Sequence, residues 1–228
     1  MSPFISIVIP FYGTADPVLL QRCLDSIRQQ GMEEGSYEII VADDNGKGLG
    51  GARNQGIRQA TGTYLMFVDA DDYLFPNLSY CFSYLLKYTP DICSFQMCEV
   101  NRAGVIPQSF NYKWEVYESG AEYMSKNNFM GTAWRHFFSR SFLNIHGLAF
   151  AESCFHEDED FVAKAYCLAS TTLITDYPVY AYFRSSSSII HERALQVRLK
   201  RLNDFRGMLY RVRNLLCSLE SDEKIIPM

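Results

Sequence analysis

Residues 64–72 read Tyr-Leu-Met-Phe-Val-Asp-Ala-Asp-Asp, an apolar run that ends in three carboxylates. An apolar run of this length bounded by turn residues predicts a strand buried on both faces. Its acidic end marks where the chain leaves the sheet, and open α/β sheets bind their ligands there. Acids at that point are costly unless a cation or a basic side chain accompanies them. Carboxylate oxygens suit hard divalent ions and the phosphates such ions carry.

Outward from this strand, the first hundred residues alternate between periods of two and 3.6. Residues 5–9 form a β-branched run closed by Pro10, and Asp16-Pro17 supplies a helix cap with a first-turn proline. Leu20, Cys23, Leu24 and Ile27 share one helical face before Gly31. Residues 37–42 predict a second strand running into Asp43-Asp44, 52–60 a helix, 77–86 a helix carrying Leu78, Phe82, Leu85 and Leu86, and 92–97 a strand. This order predicts an α/β fold with a mostly parallel central sheet covered by helices. Residues 101–118 read as a long loop or hairpin, and Ser119 to Glu122 as a capping box. Short strands are predicted at 172–174 and 179–183, and one long helix at 192–219. The expected division is a domain over 1–191 and a C-terminal helical extension over 192–228.

Among 228 residues, 48% are hydrophobic and 21% charged, which excludes a disordered chain. The formal net charge of −5 argues against nucleic acid as a partner. Seven cysteines without a Cys-x-x-Cys pair, six of them (Cys23, Cys81, Cys93, Cys98, Cys167 and Cys217) in apolar periodic stretches, predict buried free thiols in a reducing compartment rather than a disulfide framework or a zinc site. With no run of 18 apolar residues and no leader pattern, the expected location is cytoplasmic, with peripheral contact to the inner face of the membrane as a further option.

Three acidic clusters stand out: Asp43-Asp44, Asp69-Ala70-Asp71-Asp72 and Glu157 to Asp160. The first two end successive parallel strands, so right-handed connections bring them to one sheet edge. Asp-Asp pairs also make turns, and acids in a first helical turn complement the helix dipole. Gly46-Lys-Gly-Leu-Gly-Gly51 fits a dinucleotide fingerprint, with Asp69 eighteen residues on. Its glycines follow the second strand rather than the first, and Asp43-Asp44 would crowd a pyrophosphate, so an NAD-dependent oxidoreductase is a remote alternative. A nucleotidyltransferase would need a basic loop after the first strand, and residues 11–16 hold no Lys or Arg.

Taken in order, ISIVIPFYG (5–13), EIIVADDN (38–45), GGARNQGIRQATGTYLMFVDADD (50–72), WRHFFSRSFL (134–143) and HEDEDF (156–161) resemble family 2 glycosyltransferases, inverting enzymes with a GT-A fold. The resemblance runs over about residues 4–191. It implies a UDP-linked sugar donor, a divalent ion (Mn or Mg), and transfer to a hydroxyl of a glycan or lipid-linked glycan in bacterial polysaccharide assembly. Pro10, Phe11 and Tyr12 would flank the base, although Gly13 stands where relatives usually have Asn. Asp43 or Asp44 would accept from the base, and Arg53 would hold the donor. Asp69, Ala70 and Asp71 form the Asp-x-Asp motif; Asp69 and Asp71 would take the metal, Asp71 as direct ligand. Asp158 matches the general base, and Arg184 and His191 would reach the diphosphate. Trp134, Arg135 and Glu157 fall where the acceptor is contacted. A module that binds nucleotide sugar or glycan without turnover is the non-enzymatic alternative. A metal role requires Asp69 and Asp71 to face a cleft, uncommitted to an internal Arg or Lys.

Leu195, Leu199, Leu202, Phe205, Leu209, Val212, Leu216 and Leu219 recur at spacings of three and four among many Arg and Lys residues. Such a helix can pack on its own domain, pair with a second copy as a homodimer, or lie on an anionic membrane.

Overall fold

A computed structural model describes residues 2–11, 16–100, 112–128, 130–183 and 194–223. The elements are β1 (Ile5–Phe11), α1 (Pro17–Arg28), β2 (Tyr37–Asp43), α2 (Gly48–Gln59), β3 (Tyr64–Phe67), β4 (Tyr73–Leu74), α3 (Tyr80–Tyr88), β5 (Ile92–Val100), β6 (Trp114–Tyr117), α4 (Gly120–Lys126), a 3₁₀ turn (Ala133–Arg135), β7 (His136–Ser139), α5 (Arg140–Ile145), α6 (Glu157–Leu168), β8 (Thr172–Phe183) and α7 (Leu195–Glu223). The sheet runs β2-β1-β3-β7-β5-β8-β4, with β6 added on β8.

The α/β class and helical cover are as expected, but the sheet is mixed. β1 pairs in parallel with β2 and β3, and β5 with β8. β7 runs antiparallel between β3 and β5. At four residues it is too short for alternation to announce it; pairing on both sides makes it a strand. The two predicted strands near 172 and 179 are one, β8, because Pro178 is accommodated where the register against β5 shifts. Part of the region read as a long loop or hairpin is β6, antiparallel to β8.

Local chemistry explains the elements that were foreseen. Asp16 accepts from the Val18 amide and Pro17 opens α1. Ser119 accepts from the Glu122 amide, while Glu122 accepts from the Glu118 amide and opens α4. The strand β1 is buried on both faces: Ile5, Ile7 and Ile9 meet Cys23, Ile27, Leu78 and Leu85, whereas Val8 joins Leu65, Phe67, Phe138 and Phe161.

The glycine-rich stretch belongs largely to α2, which starts four residues before the expected boundary. A Cβ on Gly50 would lie 2.2 Å from the Ala151 carbonyl oxygen, so this glycine serves close helix–loop packing. Gly50→Ala is expected to cost about 1–3 kcal/mol through overpacking. A shift in the urea midpoint at unchanged slope would show it; an unchanged midpoint would refute that role.

All seven cysteines are free thiols. Cys23, Cys81 and Cys93 are buried, but Cys217 is exposed on α7, contrary to the expectation for its apolar stretch.

Candidate active site

The parallel strands β1, β2 and β3 deliver their carboxyl ends to one edge. Phe11 pairs with Asp43 and Val8 with Phe67, so Asp69 stands level with Pro10. The chain then turns sharply, with the Asp72 amide donating to the Asp69 carbonyl at 3.0 Å.

Arg53, on α2, is the centre of the site. It is 2% exposed, and its guanidinium donates to Asp69 and Glu157, each at 3.1 Å, and to Asp158. Burial works against its charge, and Asp158, Asp69 and Glu157 more than restore it, holding its pKa above the ordinary arginine value. Its planar fork reaches partners on two elements, which a lysine could not reproduce. Arg53, expected to hold the donor, is bonded here to three of the protein's own acids.

Asp158 lies in the first turn of α6, its side chain 16% exposed. One oxygen meets Arg53 and the other accepts from the Ala133 amide at 3.2 Å. Burial pushes its carboxyl up to about 7, with Glu157 and Asp69 adding to the rise and Arg53 opposing it. The neighbouring Asp160 is structural: it is fully buried between Lys164 (2.8 Å) and Arg211 (3.1 Å).

The Asp turn divides its labour. Asp69 is drawn into the Arg53 ion pair, contrary to the requirement that it be uncommitted. Among the described residues the Asp71 carboxyl accepts from its own backbone amide and from no side chain; burial, then Asp69, raises its pKa, while that amide and Arg22 oppose the rise. Asp72 is buried and accepts from the Tyr180 hydroxyl and the Phe183 amide, both at 2.7 Å. Burial, then Asp69, pushes Asp72 up to about 8. Tyr180 also receives the Asp69 amide at 3.0 Å, fixing the turn from β8. Arg22, between the rings of Tyr73 and Phe183, donates to the Asp71 carbonyl at 2.6 Å. Neither Tyr180 nor Arg22 was foreseen, because they act on the Asp turn across 111 and 49 residues of chain and no local pattern marks them. A groove of about 880 Å³ runs between α1 and residues 73–76, but none of these site carboxylates lines it.

Residues 6–47 and 45–143, more than half of the chain, match the family model described as Glycosyl transferase family 2. The chain belongs to that family. EpsJ of Bacillus subtilis, an uncharacterized glycosyltransferase, is 28% identical over an alignment of 227 positions that covers 83% of this chain and 63% of EpsJ. The poly(ribitol-phosphate) beta-glucosyltransferase of Bacillus spizizenii is 37% identical over 97 residues, 31% of this chain and 15% of its own length. S. aureus TarS in complex with UDP superposes with a TM-score of 0.71 at 20% identity, over 94% of this chain and 65% of that chain. At that identity the likeness shows the fold alone, the GT-A architecture.

Within this family 2 chain the remaining expected residues are placed as follows. Asp43 is exposed and caps a turn by accepting from the Asn45 amide at 2.7 Å; Asp44 accepts from the Gly48 amide at 3.1 Å at the start of α2. Both are engaged in turn formation on the edge that also carries Pro10, Phe11 and Asp69. Ala70 is buried at the tip of the Asp turn. Trp134 is buried and stacked against Tyr180 and Tyr182, so its plane is used internally. Arg135 donates to the Phe95 carbonyl and the Gln96 side chain, away from the acids. Glu157 joins the Arg53 network. Tyr12, Arg184 and His191 lie outside the described residues.

Proposed function

We propose that this chain transfers a single sugar, with inversion, from a UDP-linked donor to a hydroxyl of a glycan or lipid-linked glycan. The observation that carries it is the gathering of Asp69, Glu157 and Asp158 on buried Arg53, with the Asp71 carboxylate outside that ion-pair network among the described residues. TarS structures with UDP and with UDP-GlcNAc, and a mannosyltransferase of Pyrobaculum calidifontis with GDP-Man and Mn2+ (TM-score 0.54, 13% identity), support the donor class and the use of a metal.

The chemistry follows from the acids. Asp158 accepts the proton of the acceptor hydroxyl as that oxygen bonds to the anomeric carbon. The bond from that carbon to the diphosphate oxygen breaks with its electron pair, and the nucleoside diphosphate leaves. One carboxylate suffices for this single displacement. A carboxyl raised towards neutrality is a better proton acceptor than an ordinary aspartate.

The donor set fits a divalent ion. Among the described residues no cationic side chain is bonded to the Asp71 carboxylate, although Arg22 holds its backbone carbonyl, and Asp69 has only a share of Arg53. Among the described residues no group of three or more His, Cys, Asp or Glu side chains forms a closed metal cage. Two protein oxygens, with the rest of the shell from diphosphate and water, is how Mg²⁺-type sites are commonly built. Asp71 would hold the ion, Asp69 joining it only by giving up its share of Arg53, and the ion would offset charge on the departing diphosphate.

UDP-GlcNAc with Mn²⁺ is expected to stabilise the protein against thermal unfolding, by about 2.7 kcal/mol at a hundredfold excess over Kd. EDTA or Asp71→Asn should remove the metal-dependent part of that shift. An equal shift in EDTA would sink the metal assignment.

A further inference from the structure

The roll of α7 about its own axis is fixed by the residues that tie it to the body. Asp204 accepts from the Phe155 amide at 3.0 Å, Arg211 reaches buried Asp160, and Met208 is buried. His156 packs edge-on against Phe205. These contacts leave the opposite face outward. There Leu195, Leu199, Leu202, Leu209 and Leu216 stand 45–68% exposed, over roughly six turns. Interleaved on the same face are Arg198, Arg206 and Arg213, all exposed and without an ion pair among the described residues.

We propose that this outward face of α7 docks the protein on an anionic lipid surface. Up to residue 219, α7 carries six basic residues against a single acid, Asp204, which faces the body; its other acids, Glu220, Asp222 and Glu223, are confined to its last turn. A second copy on this face would set arginines against arginines, and like charges facing each other cost several kcal/mol. A phospholipid surface with negative headgroups takes both components, the guanidinium groups at the phosphate level and the leucines at the acyl boundary. The whole chain carries a formal charge of −5, so attraction is confined to this helix and orients the molecule. Because α7 packs on α6, which bears Asp158, docking would hold the candidate site near the bilayer. That consequence rests on the proposed function; the docking itself does not.

Flotation with phosphatidylcholine vesicles, with and without phosphatidylglycerol, tests it. The protein should float only with the anionic vesicles and be released by high salt. Removing each charge, in Arg206→Gln and Arg213→Gln, should weaken partition by about fivefold. Leu202→Asp with Leu209→Asp should weaken it by about tenfold or more. These side chains are exposed, so the melting temperature and the UDP-GlcNAc shift should stay as in the parent. Equal flotation with neutral vesicles, or partition indifferent to both pairs of substitutions, would overturn the proposal. So would a dimer in sedimentation that Leu202→Asp converts to monomer.

Discussion

Arg53→Met is expected to destabilise the protein by about 3–5 kcal/mol near neutral pH, the usual result of stripping the counter-ion from a buried charge cluster. Methionine fills much of the volume but leaves Asp69, Glu157 and Asp158 facing one another without a cation. The loss should depend on pH. Asp158 is already raised to about 7 by burial and acidic neighbours while Arg53 opposes the rise. Without Arg53 its folded pKa climbs further above the unfolded value near 4. A carboxyl with a raised folded pKa contributes stability that is present at low pH and disappears as pH rises through that folded value. The gap between variant and parent should therefore be small near pH 5 and widest above pH 7, read from urea midpoints. Arg53→Lys should fall between, since a point charge cannot replace the fork. A gap independent of pH would show that the three acids do not rely on this guanidinium.

The sequence made some of this site legible. Asp69 stands out because an apolar strand has no reason to end in acids unless they are used, and Asp158 because its motif follows the others in order. What Arg53 does was hidden, since its partner Asp158 is 105 residues away and only the fold brings them together. Asp72 looked like a third member of the acidic group; its burial and its tie to Tyr180, 108 residues on, make it a strut. The strand β7 went unseen because four residues carry too little period, yet it supplies the antiparallel link between the two parallel parts of the sheet. In α7 the apolar period was plain. Which side faced the body was not, because that depends on Asp204, Met208 and Arg211 rather than on the leucines.

Asp158→Asn is expected to lower turnover by about 10²–10⁴, the range a positioned base supplies, while sparing donor binding. The amide oxygen can still accept from Ala133, and Arg53 retains Asp69 and Glu157, so the geometry around the donor survives. What disappears is the lone pair basic enough to take the acceptor's proton. If Asp158 is the base, kcat/KM of the parent should fall as pH drops below about 7, where its carboxyl becomes protonated. The variant should lack that limb, its residual rate being flat across the same range. Two readouts separate a base from a strut: Mn²⁺-dependent release of UDP from UDP-GlcNAc, and the thermal shift caused by the same donor. Loss of the first with retention of the second supports Asp158 as the base. Loss of both would make it a structural partner of Arg53, and retention of both would move the base elsewhere, with Glu157 the next carboxylate in reach of the same guanidinium.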